Sequence, residues 1–329
     1  MKKLVAVLIL VILASIANSA YVSAESVIVV TTISPLAAIA REIGGNRVVV
    51  HYLVPPGSDP HQYALKPEDV DLVKNCDVFI SIGKEGFLSG LPENPGKVRL
   101  SWNDWLEAGV CIKNDNPHYL WLYPENAVKV AEKIYEALIN VDPAGRLYYT
   151  ERLEKFKADI EKLVKWIDEY TTVAGVKGEK VVLAGAHFVP LAEAMELEVV
   201  GVLIKGEGKT PSPLEVAEVE KLIKEKDVKV VVVLATQKIG DEGRIASLLS
   251  RETGVALVYV YGTMFSEEDS YTEYIKYTVA SIVSAIEAAK SKSSSKTISL
   301  QFSQTTLLAS VVILFLLSIV ETTILVRGR

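Results

Sequence analysis

A chain of 329 residues, half of it hydrophobic by residue type and 23% charged, holds enough apolar material for two domains of ordinary size and is not disordered. Glycine (20) and proline (13) make up about a tenth of it, which excludes collagen-like and low-complexity composition. The formal net charge of −6 includes +2 from Lys2 and Lys3 and +1 from Arg327 and Arg329 taken with Glu321, leaving −9 on the residues between. An acidic body lacks the basic face that displaces counterions from phosphates, so no nucleic-acid partner is expected; a cation suits it better.

In chain order, residues 1–24 come first: Lys2-Lys3, the apolar run Leu4–Ala17 and the small residues Val22-Ser23-Ala24 form the three parts of a cleaved secretory signal. An N-terminal membrane anchor is the competing reading, but the run is short for a bilayer span. The mature chain is expected to start near Glu25, outside the cytoplasm.

Short runs rich in β-branched residues follow: Val27–Val30, Val48–Val54 and Val78–Ile82, then Val181–Ala184, Val199–Ile204, Val230–Leu234 and Val255–Val260. A further strand is expected around Val110–Ile112. Such unbroken apolar stretches suit strands buried on both faces of a parallel sheet. Helix-like segments alternate with them at 35–43, 67–75, 125–139, 213–225 and 270–288, which predicts α/β architecture. Ser212 with Glu215, and Ser270 with Glu273, have the spacing of capping boxes and mark two helix starts. Between the halves, Tyr149, Leu153, Phe156, Ile160, Leu163, Ile167 and Tyr170 alternate four and three apart. That stripe predicts one helix of about 28 residues, roughly 40 Å long, within 144–175; an isolated coiled coil is the weaker alternative. The lobes are expected at 25–143 and 176–288.

Beyond them, residues 289–304 have the Ser/Lys composition of a tether, and 305–326 contain one charge, Glu321, over a length that crosses a hydrocarbon core. Arg327-Gly-Arg329 follows, so the span is expected to be a single-pass C-terminal anchor with the body on the extracytoplasmic side of the cell membrane. Cys76 and Cys111 are the only cysteines. In an oxidising compartment they read equally as a disulfide or as free thiols, with Cys76 a small buried side chain.

The four histidines divide by position. His61, His118 and His187 fall in strand-to-helix connections, which in open parallel sheets gather at the carboxyl ends of the strands, where ligands bind. His51 lies inside a strand-like run and reads as structural. A comparable connection, Tyr261-Gly-Thr-Met-Phe-Ser-Glu-Glu-Asp269, brings three carboxylates. Three imidazoles with one carboxylate or water suit tetrahedral zinc; three surface imidazoles in polar loops are the alternative.

Pro56-Gly-Ser-Asp-Pro-His-Gln-Tyr63 with Lys66-Pro-Glu-Asp-Val70, Asn116-Pro-His-Tyr-Leu-Trp-Leu-Tyr-Pro-Glu-Asn-Ala127, and Gly185-Ala-His-Phe-Val-Pro-Leu191 together resemble the metal-site segments of the zinc/manganese solute-binding proteins of ABC transporters. The similarity runs through roughly residues 27–288. It implies two four-stranded α/β lobes joined by a long helix, and one divalent ion as cargo in the cleft, captured for a membrane permease with its cytoplasmic ATPase. It implies His61, His118 and His187 as ligands. Members usually place an Asp soon after the last strand, where this chain has Met264-Phe265. Glu268 is therefore the expected fourth ligand, with Glu267, Asp269 or water as alternatives. A histidine at the third position favours Zn2+ over Mn2+. Because ligating imidazoles must be neutral, zinc affinity is expected to fall as the pH drops through about 6.5, the reference histidine value.

No enzymatic activity is expected. Gly206-Glu-Gly-Lys-Thr210 lacks the first glycine of a phosphate-binding loop, and neither G-x-S-x-G nor H-E-x-x-H occurs. The competing functions are a metal-dependent hydrolase using an open coordination position, and an anchored adhesin or metal buffer without a permease.

Overall fold

Strand β1 (Val27–Thr31) buries four of its five residues, as a central parallel strand covered on both faces does. It pairs with β2 (Val48–Tyr52) on one side and β3 (Val78–Ile80) on the other, and β3 pairs with β4 (Val98–Leu100). A second sheet repeats the plan with β5 (Lys180–Gly185), β6 (Glu198–Ile204), β7 (Val230–Leu234) and β8 (Ala256–Val260). The strand orders are β2-β1-β3-β4 and β6-β5-β7-β8, and every pairing is parallel. In each sheet the order reverses beside the central strand, so a crevice opens outside the carboxyl ends of β1 and β3, and of β5 and β7. In β7 all five residues are buried; a fully buried valine side chain contributes about 1.5–3 kcal/mol relative to an exposed one.

The computed structural model describes residues 26–206, 209–264, 266 and 269–291. The expected signal at 1–24, most of the tether, the span at 305–326, and Glu267 and Glu268 lie outside the described residues. Among the described residues no helix is long and apolar enough to cross a membrane.

The chain divides into two compact units: residues up to Ile112 with Glu125–Ile160 and Ser266–Tyr271, and Lys113–Pro124 with 161–265 and the chain from Thr272 on. One 28-residue helix, Arg146–Val173, runs from the first unit's residues into the second's. Along it Tyr149, Leu153, Phe156, Ile160, Leu163 and Ile167 are buried, as their spacing requires. The stripe ends on Thr171 rather than Tyr170, which stacks on Trp166 at 4.9 Å between ring centroids. Gly175, at φ 61°, turns the chain out of the helix.

The helices at Pro67–Asn75 and Pro213–Glu225 start on a proline, whose fixed φ suits the first helical position. Ser212 Oγ accepts from Glu215 N at 3.3 Å, and the Glu215 carboxylate accepts from Ser212 N at 2.9 Å, completing the expected capping box. Residues 271–291 are helical and run into the segment read as tether, because Lys290 Nζ donates to Gly175 O at 2.7 Å and pairs with Glu179.

One expectation is corrected. The fourth strand of the first sheet is Val98–Leu100, and 110–112 is not a strand. Cys111 N donates to Asn126 Oδ1 at 2.9 Å and Cys111 O accepts from Asn126 Nδ2 at 2.8 Å, so a side-chain amide occupies the groups a ladder would have used. Cys76 and Cys111 are free thiols, the first buried and the second exposed. Burial pushes the Cys76 thiol up to about 11.

Candidate metal centre

His187 follows β5 on the helical turn Ala186–Phe188, at the switch point of the second sheet. His118 precedes the short helix Tyr119–Leu122 and belongs to the same unit. Although 113–124 is expected with the first lobe, three side chains bind it to the segment after β5. Asn116 Nδ2 donates to Ala186 O at 2.9 Å, the Tyr119 hydroxyl donates to Glu193 at 2.7 Å, and Lys113 pairs with the same carboxylate. Burial would raise the Glu193 carboxyl, but those two partners outweigh it and hold it below the usual range. Trp121, whose ring lies 5.0 Å from that of His118, donates from Nε1 to Gly262 O at 2.8 Å, tying this segment to the connection after β8.

Asn116 also orients His118. Its Oδ1 accepts from His118 N at 3.0 Å and lies 2.8 Å from His118 Nδ1. The backbone N–H can only donate and the Ala186 carbonyl can only accept, so the amide orientation follows from its partners. His118 Nδ1 must then carry the proton, which leaves Nε2 as the lone-pair atom. That Nε2 lies 2.9 Å from Nδ1 of His187, with the rings edge to face. On its far side His187 Nε2 lies 2.9 Å from Oε1 of Glu242, a carboxylate whose side chain is 5% exposed.

Glu242 is a site residue that the sequence reading does not reach. It sits in the first turn of the helix Asp241–Thr253, itself absent from the expected elements. The signals for that helix are Gly240 before it, two acidic residues in the first turn, and Gly254 after it at φ 77°.

His61 lies in the first unit, exposed on the turn Pro60–Gln62 after β2. Asp59 caps that turn, accepting from His61 N at 2.9 Å and from Gln62 Nε2 at 3.1 Å. Asp69 accepts from Tyr63 at 2.8 Å and from Lys66 N at 2.8 Å, so the loop is pinned to the start of the next helix. Burial and that acceptor push the Tyr63 hydroxyl up to about 12. His51 is exposed on β2, opposite Val30. Asp269 carries a buried Oδ2 without a hydrogen-bond partner among the described residues. Met264 is fully buried.

The sequence matches a known family. The family model described as ZnuA, zinc-uptake complex component A, periplasmic, matches residues 29–285. The chain belongs to this family. Its fold and its character as a solute-binding protein of metal ABC transporters, not an enzyme, follow from that membership. Manganese-binding lipoprotein MntA of Halalkalibacterium halodurans is 28% identical over 272 residues, covering 80% of this chain and 89% of the relative. Manganese ABC transporter substrate-binding lipoprotein PsaA of Streptococcus mitis is 27% identical over 295 residues, covering 80% and 90%. The solved structure of the periplasmic zinc-binding protein TroA from Treponema pallidum superposes with a TM-score of 0.67 at 17% identity, over 80% of this chain and 99% of that one. The last likeness is one of fold.

Proposed function

We propose that the protein captures a zinc ion on His61, His118 and His187 and delivers it to an ABC permease driven by a cytoplasmic ATPase. One observation carries the reading: His118 Nε2 and His187 Nδ1 face each other at 2.9 Å while Asn116 and Glu242 engage their far nitrogens. Two imidazole lone pairs directed at one point repel unless a cation or a proton lies between them. Two nitrogens on one tetrahedral zinc, each about 2.05 Å from it, stand about 3.3 Å apart, so a small opening of this pair admits the ion. Nitrogen donors favour zinc over the harder manganese. Manganese is the alternative cargo, since two of the relatives bear its name.

His61 is the third imidazole of this reading, presented by a capped turn in a segment that resembles the family's. For the fourth position the unpartnered buried oxygen of Asp269 favours that residue. Glu268, the choice from sequence, Glu267 and water remain the alternatives.

Membrane attachment is proposed through residues 305–326, with 1–24 as a cleaved signal and the chain after the last helix as a tether. The two relatives are named lipoproteins. Attachment through residues 305–326 holds the carrier at high local concentration beside its permease.

The test is calorimetric titration of the chelator-stripped full-length protein in detergent with zinc and, separately, manganese, for the wild type and for His61→Ala, His118→Ala, His187→Ala, Asp269→Asn and Glu268→Gln. A one-to-one zinc isotherm that weakens in all three histidine variants and in one carboxylate variant is expected. Absence of binding of either metal, or indifference to the histidine substitutions, overturns the proposal.

A further inference from the structure

We propose that Glu242 is a positioning residue that fixes the tautomer of His187 and so selects Nδ1, rather than Nε2, as its metal-donating atom; this rests on the reading of His187 as a ligand. The Glu242 Oε1 to His187 Nε2 distance is 2.9 Å, and the side chains are 5% and 14% exposed, so water competes weakly for the bond. A carboxylate only accepts, which places the His187 proton on Nε2 and the lone pair on Nδ1, toward His118. A hydrogen-bonded outer partner of this kind fixes ring orientation and raises the basicity of the ligating nitrogen.

The backbone around the pair is shaped to admit that carboxylate. A Cβ on Gly185 would stand 2.2 Å from Glu242 Oε1 and 2.7 Å from His187 Cδ2. Gly185 is extended, with φ −134° and ψ 164°, a conformation open to any residue, so the glycine is required for space and not for backbone freedom. A Cβ on Gly243 would stand 2.1 Å from Lys238 O, so the loop after β7 closes onto the helix start only with a glycine beside Glu242. Leu234 N, at the end of β7, lies 3.4 Å from the second carboxylate oxygen, which aims the first one at His187. Two glycines and a strand end converge on a buried carboxylate that binds a histidine 55 positions away.

The decisive measurement needs no metal. Nitrogen-15 NMR of the histidine rings in the metal-free full-length protein, in detergent, reads which nitrogen of His187 carries the proton; His187→Gln assigns the signal. The wild type is expected to show Nε2–H alone, Glu242→Gln the same because its carbonyl still accepts, and Glu242→Ala a mixture. Gly185→Ala should reproduce the Glu242→Ala spectrum with Glu242 still present. With zinc as probe, Glu242→Ala and Gly185→Ala are expected to lose about 10–100-fold in affinity, and Glu242→Gln most of that loss restored. A wild-type proton on Nδ1, or an unchanged tautomer in both Glu242→Ala and Gly185→Ala, overturns the inference. If the tautomers behave as stated while zinc fails to bind the wild type, the cargo reading falls and the role of Glu242 in positioning His187 stands.

Discussion

Replacing Asn116 by alanine tests the other half of the histidine pair. The substitution removes the acceptor of the His118 N–H at 3.0 Å and of Nδ1–H at 2.8 Å, and the donor to Ala186 O at 2.9 Å. Each neutral hydrogen bond contributes about 0.5–1.5 kcal/mol net, and Asn116 is only half-buried, so water replaces part of the loss and a stability change of about 1–3 kcal/mol is expected. Metal affinity should respond more specifically. Without Oδ1 the His118 ring rotates and its proton moves between nitrogens, and outer-partner losses of this kind weaken metal binding by about 10–100-fold, which is about 1.4–2.7 kcal/mol. Asn116→Asp keeps the acceptor while losing the donor, so it should recover most of the affinity though not the stability. Competition for zinc against a chromophoric chelator gives the first quantity, and urea denaturation of the metal-free protein the second. Zinc affinity within about threefold of wild type in Asn116→Ala, alongside a large loss in His118→Ala, would refute the claim that Asn116 sets the donating nitrogen.

Because the Cys76 thiol is buried and raised to about 11 while Cys111 is exposed, a disulfide-exchange reagent at pH 8 should titrate one thiol in the native protein and two after denaturation; none in the native state would indicate a bridge. Asp142 accepts from Arg47 Nε at 2.8 Å, Arg47 Nη2 at 2.9 Å and Tyr149 at 2.7 Å. Although burial alone would raise its carboxyl, these partners hold it below the usual value. Its stabilisation should therefore be fully present above about pH 4 and lost as the pH falls from there, and Asp142→Asn should cost roughly 1–3 kcal/mol at pH 7 in a urea titration and flatten the acid limb. Gly254 ends its helix at φ 77°, and a Cβ there would meet nothing within 4 Å. In the same urea assay Gly254→Ala should thus cost about 1 kcal/mol of backbone strain alone, with Gly254→Asn costing less.

How legible each part is depends on the range over which its cause acts. The runs Val27–Val30 and Val230–Leu234 and the Pro-led helix starts at 67 and 213 carry their own instructions, since burial on both faces and a preset φ are written into adjacent residues. Strand Val98–Leu100 escapes a reading of the sequence because it is three residues long with Arg99 exposed in its middle. The strand expected at 110–112 does not form, and nothing local announces that Asn126 takes the backbone of Cys111. His61 and His187 stand out by their place in strand-to-helix connections, whereas His118, with no strand at 110–112, lies between the helices Trp102–Glu107 and Tyr119–Leu122. The grouping of His118 with His187 does not stand out, because Lys113 meets Glu193 across 80 positions and Asn116 meets Ala186 across 70. Spacing along the chain names the residues able to donate to a metal. An imidazole has two nitrogens, however, and Asn116 and Glu242, one near its histidine in sequence and one far from it, decide which nitrogen faces the partner ring. The donating face of the histidine pair is therefore specified by its acceptors as much as by the imidazoles themselves, and the acceptor furthest away in sequence is the one that only the folded sheet brings into place.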